Sequence, residues 1–90
     1  MRDVARQRVT IVNERGLHAR ASNKFARLAE TFKSDIKVMH EGETASAVSI
    51  MDLLMLAAHK GCQIDIVASG AEAEAAVQAL GDLVSDGFGE

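Results

Sequence analysis

One stretch constrains the fold more than any other. From Ala19 to about Thr31, and on to Phe32, the apolar residues Ala21, Phe25, Leu28, Ala29 and Phe32 fall at i, i+4, i+7, i+8 and i+11. That spacing winds into one stripe on a helix, and a helix with a single apolar face must lay it against another layer. The flanking segments supply that layer. R-V-T-I-V-N (8–13) reads as a strand, and D-I-K-V-M-H (35–40) alternates, turns at E-G-E (41–43) and returns through T-A-S-A (44–47) as a hairpin. Ser49 opens a second, short helix to about Ala58, with Gly61 ending it, and C-Q-I-D-I-V-A (62–68) alternates with Ile64 and Ile66 on one face. A last helix, Glu72 to about Ser85, carries the stripe Ala73, Ala76, Val77, Leu80 and Val84.

The order strand, helix, strand, strand, helix, strand, helix, with short connections, predicts an α+β fold. Amphipathic helices cover one face of a sheet, so an open-faced two-layer sandwich is expected, its four-stranded sheet carrying the helices on one side. With 90 residues and no Gly/Ser/Pro-rich linker, a single domain over 1–90 follows. A chain of this size buries roughly 60–65% of its unfolded surface, enough for a core without metal or disulfide staples. The lone Cys62 has no internal partner and no neighbouring ligand at metal spacing, so it reads as a small hydrophobe. The N-terminus lacks the apolar run of a secretory signal, and no apolar stretch approaches the roughly 20 residues of a membrane span. A cytoplasmic protein without membrane association is therefore expected.

Charge is segregated. Residues 1–37 hold nine Lys/Arg and four Asp/Glu, a balance of +5, while residues 38–90 hold one and nine, a balance of −8. Aromatics make up 3% of the chain, with no Trp or Tyr, which denies it a base-stacking platform; an acidic protein partner suits the basic half better than nucleic acid. The middle helix, S-I-M-D-L-L-M-L-A-A, is apolar nearly all round. If Leu53, Leu56 and Ala57 face the sheet, then Ile50, Met51, Leu54 and Met55 form an apolar surface patch of the kind that marks partner sites, unless the first helix or a loop covers them.

The candidate chemistry lies at G-L-H-A-R (16–20). His18 stands where the first helix begins, and the amides of Ala19, Arg20 and Ala21 have no intrahelical acceptor there, which makes an anion site. The helix dipole disfavours a positive ring and stabilises a bound anion, each by about 0.3–1 kcal/mol. Arg20 adds a guanidinium suited to the oxygens of such an anion. On its own, a histidine at a helix start is more simply a capping or surface residue. His40 and His59 read as surface residues.

G-L-H-A-R (16–20), T-A-S-A-V-S-I-M (44–51), K-G-C-Q-I-D-I (60–66) and A-S-G-A-E (68–72), in this order, resemble HPr, the histidine-containing phosphocarrier of the bacterial phosphoenolpyruvate-dependent phosphotransferase system. The likeness spans about residues 8–90, and the tail S-D-G-F-G-E is similar to that of some Gram-positive members. It implies an HPr-like βαββαβα sandwich with strand order 1-4-2-3 and three helices on one face. It further implies that His18 accepts a phosphoryl group on Nδ1 from phosphorylated Enzyme I and passes it to an enzyme IIA domain. The resemblance implies no cofactor or metal, and a carrier rather than an enzyme. Ser49 corresponds to the regulatory serine of the HPr kinase/phosphorylase, although S-x-x-D with Asp52 also makes it a capping residue. A phosphate there would place negative charge beside Ile50 and Met51 and weaken docking.

The family's usual H-A-R-P-A is here H-A-R-A-S, with Ala21 in place of proline; this variant is similar to proteobacterial members, including the nitrogen-related branch. Arg20, Lys24 and Arg27, at i, i+4 and i+7, form a charged rim beside the apolar patch, giving a docking surface for a monomer that meets its partners briefly. Two other readings fit the fold: a binding-only regulator that carries no phosphate, and a small-molecule-binding regulatory domain of ferredoxin-like topology. The retained His18 and Arg20 count against the first, and the sequence offers no cleft motif for the second.

Overall fold

In the computed structural model, residues 3–90 are described; the first two residues of the domain expected over 1–90 lie outside them. The elements are β1 (Val4–Thr10), α1 (Ala19–Glu30), β2 (Ser34–His40), β3 (Glu43–Ser46), α2 (Ile50–Met55), β4 (Gln63–Gly70) and α3 (Ala73–Ser85), followed by a 3-10 turn over Gly87–Gly89. The sheet runs β1-β4-β2-β3, every neighbour antiparallel. The order arises because β4 comes back between β1 and β2, pairing Val9 with Ile64 on one side and Val38 with Ile66 on the other. Alternation then sends Ala5 and Val9, Ile36 and Val38, and Ile64, Ile66 and Ala68 to the helical side, where they are buried. Arg6, Arg8, Lys37 and Asp65 point to the open face.

The helical stripes dock as their spacing requires. Ala21, Phe25 and Ala29 of α1 and Ala73, Ala76, Val77, Leu80 and Val84 of α3 are all buried, whereas Leu28 and Phe32 are only half-buried at the margin of the core. Ser22 and Ala26 join the buried side of α1. Burial of each large aliphatic side chain contributes about 1.5–3 kcal/mol before the entropy cost of folding is subtracted.

Three expectations need correction. The first strand lies at Val4–Thr10 and not 8–13: Ile11 leaves the sheet and pairs with the turn after α2, its N–H donating to Cys62 O at 2.9 Å and its carbonyl accepting from Gly61 N–H at 2.8 Å. The second helix stops at Met55, well short of Ala58, because Ala57 takes the left-handed conformation (φ 53°). Leu53 and Leu56 face the core as expected, but that reversal turns Ala57 out to solvent and Ala58 in. Finally, His40 is no surface residue: it follows Ile36 and Val38 on the inward register of β2, is 9% exposed, and donates from Nδ1 to Gln63 O at 3.1 Å. His59 is exposed, and Cys62 is half-buried against the core margin.

Candidate functional site

The loop before α1 is built to hold one residue in place. Gly16 adopts φ 61°, and the Leu17 N–H donates to Ala58 O at 3.0 Å, tying this loop to the segment after α2. Asn13 is buried and donates from Nδ2 to Gly16 O at 2.9 Å, while the fully buried Ser22 donates from Oγ to Leu17 O at 3.1 Å. His18 therefore enters as the N-cap of α1 with an extended backbone, and its Nδ1 accepts the Arg20 N–H at 3.3 Å. The first main-chain bond of the helix runs from Ser22 N–H to His18 O at 2.9 Å, so the amides of Ala19, Arg20 and Ala21 precede the ladder and face an anion's natural position. The imidazole is largely enclosed, 14% exposed, while the Arg20 side chain is 63% exposed.

The other side of the ring holds a residue that sequence patterns passed over. Glu90 Oε2 lies 2.5 Å from His18 Nε2 and 3.8 Å from Arg20 Nε, and Glu90 Oε1 accepts from Asn13 Nδ2 at 3.3 Å. The bond from His18 holds the Glu90 carboxyl below its ordinary value; partial desolvation opposes this, and Asn13 and the charge of Arg20 assist it. Phe88, fully buried, anchors the turn that brings Glu90 here, and Lys24 Nζ donates to Phe88 O at 2.7 Å. A phenylalanine between two glycines, G-F-G, is the one sequence signal that could have marked this tail as docked. Periodicity ends before it.

The charged rim is thus divided. Arg20 and Lys24 both engage the tail, while Arg27 points to solvent with Nε donating to Asn23 Oδ1 at 3.3 Å. On α2, Ser49 is the N-cap: its Oγ accepts from Asp52 N–H at 3.2 Å, and the Asp52 carboxylate reaches back to Ser46 N–H rather than to Ser49. Met51 and Met55 are 67% and 76% exposed, Ile50 is exposed and Leu54 half-buried; α2 packs against α1. The described residues contain no group of three or more His, Cys, Asp or Glu side chains suited to a metal ion, and no helix among them is long and apolar enough to cross a membrane.

Comparison with known proteins gives a consistent result. Residues 5–86 match the family model described as PTS HPr component phosphorylation site. The phosphocarrier protein HPr of Neisseria meningitidis serogroup B is 46% identical over 94% of this chain and 96% of its own length. The phosphocarrier protein NPr of Shewanella violacea is 42% identical over 93% and 92% respectively. Among solved structures, HPr from Thermoanaerobacter tengcongensis superposes with a TM-score of 0.92 at 35% identity, covering 96% of this chain and 97% of that one.

Proposed function

This chain belongs to the PTS HPr family of phosphocarriers, and we propose that it carries a phosphoryl group transiently on Nδ1 of His18, taken from phosphorylated Enzyme I and passed to a histidine of an enzyme IIA domain. The observation that carries this reading is the seating of His18 at the N-cap of α1. Its Nδ1 looks onto the amide of Arg20, between the open amides of Ala19 and Ala21. A phosphoryl group bonded to Nδ1 meets amide donors and the positive helix end without rearrangement of the backbone. Because each such contact is worth only about 0.3–1 kcal/mol when exposed, the group is held and still given up. Arg20, exposed and cationic, neutralises phosphoryl oxygens during transfer. The protein forms a covalent intermediate but turns over no substrate alone, which makes it a carrier and not an enzyme.

Docking in this reading uses the exposed Ile50, Met51 and Met55, with Leu54 beneath them, and the cationic Arg27 and Lys24 of α1. Ser49 is the regulatory site: phosphorylation by an HPr kinase/phosphorylase adds nearly two negative charges beside Met51 and opposes an acidic partner surface. The carrier works as a cytoplasmic monomer with protein partners and neither membrane nor nucleic acid. The HPr and NPr relatives are both named phosphocarriers, and the proposal concerns the chemistry common to the two names.

Phosphorus NMR after treatment with Enzyme I and phosphoenolpyruvate tests the reading. The wild-type protein is expected to show a phosphoramidate resonance that His18→Ala lacks. A wild-type spectrum without that resonance, recorded under non-acidic conditions, would refute it.

A further inference from the structure

Glu90 lies outside residues 5–86 matched by the family model, yet it makes the shortest contact at the site. The two nitrogens of His18 face partners of opposite kind. Nε2 meets the Glu90 carboxylate, which accepts and so requires the proton on Nε2; Nδ1 meets the Arg20 amide, which donates and so requires a bare lone pair on Nδ1. Together they select one of the two neutral tautomers. Building on the reading of His18 as the phosphoryl acceptor, we propose that Glu90 is a positioning residue for the transfer. It holds the ring with its proton on Nε2 and its nucleophilic lone pair on Nδ1, and it balances the charge that the ring acquires.

The step runs as follows. The Nδ1 lone pair attacks phosphorus of the donor's phosphohistidine, the donor N–P bond breaks, and its electron pair returns to the donor ring. The proton stays on the Nε2 of His18, so the newly phosphorylated ring is cationic beside a phosphoryl group carrying two negative charges. The Glu90 carboxylate, already bonded to that N–H, stabilises the ring charge as it appears, the role a buried carboxylate plays for the histidine of a hydrolase triad. When the group leaves for an acceptor, the N–P electron pair returns to Nδ1 and the same tautomer is restored. Three tethers deliver the carboxylate: the buried ring of Phe88, the Lys24 bond to Phe88 O and the Asn13 bond to Glu90 Oε1. Arg20, 3.8 Å away, keeps the carboxylate in a cationic setting.

Long-range nitrogen NMR of the free protein, labelled at histidine and held at about pH 8 where an ordinary imidazole is neutral, reads the tautomer of His18 without any donor present. The wild-type ring is expected wholly in the Nε2–H form. Glu90→Ala should give a mixed population and slow phosphorylation by Enzyme I about tenfold, the size of one lost charge-assisted hydrogen bond. Glu90→Gln, whose amide oxygen still accepts from Nε2, should restore the tautomer and recover only part of the rate. A His18 ring whose tautomer is unchanged in Glu90→Ala overturns the positioning role even if transfer to His18 proceeds. If the wild-type protein takes no phosphoryl group at all, the carrier reading fails instead, and the ring's tautomer still reports separately whether Glu90 governs it.

Discussion

Single side chains in this molecule act through pairings that join distant parts of the chain. Asp65 on the open face shows the energetics. It accepts from Arg8 Nε at 3.0 Å and Nη2 at 3.3 Å, and from Arg6 Nη2 at 3.1 Å, bracing β4 against β1. The Arg8 bond is the main reason that the Asp65 carboxyl titrates below its ordinary value of 3.8; partial desolvation opposes it and Arg6 adds to it. A carboxylate whose folded value is depressed binds fewer protons when folded than when unfolded, so its stabilisation is fully present above the ordinary value and disappears as pH falls through the folded one. Asp65→Asn should therefore be less stable than wild type at about pH 7, and the gap should narrow at about pH 3, below the ordinary value. Urea titrations at both values check this; a gap that stays as wide in acid would assign the effect to something other than the charge. Arg8 and Asp65 stand directly opposite in the register, and only the pairing of the strands, not their separate sequences, reveals that.

Elements hold their shape through a few backbone positions that tolerate no substitute. The connection from β1 to α1 passes so close to the segment after α2 that a Cβ on Gly16 would sit 2.5 Å from Ala58 O and 2.7 Å from His59 Cα, at a φ of +61° that disfavours any side chain. Gly16→Ala is expected to lose about 2–4 kcal/mol of unfolding free energy by chemical denaturation, since neither neighbour is a movable side-chain end. Wild-type stability in that variant would show that the loop is far more pliable than its contacts indicate. The helix starts were legible because His18 and Ser49 cap their own helices within three residues. The early stop of α2 was not, since the left-handed turn at Ala57 carries no glycine to announce it and is enforced by Leu17 bonding to Ala58 O.

Across the whole molecule, charge segregation becomes a surface only in three dimensions. Lys24 looks in sequence like one of three equivalent cations along α1, but its ammonium holds the Phe88 carbonyl, so reversing it would release the tail as well as change the field. Arg27, bonded to Asn23 on its own helix, is the cleaner probe. Arg27→Glu should lower the phosphorylation rate severalfold at low salt and flatten its dependence on ionic strength, as expected when steering by opposite charges is lost. Stopped-flow rates across a salt series decide this, and equal slopes for variant and wild type would remove Arg27 from the docking surface. The amphipathic stripes, the hairpin, the α+β class and a histidine seated at a helix start were all written locally, in spacings of two to four residues that any short segment expresses by itself. The burial of His40, the outward turn of Ala57 and the Glu90 carboxylate on His18 were decided by the packed chain alone. They join residues brought together by folding, 72 positions apart in the last case, and no local periodicity encodes which distant group closes on which.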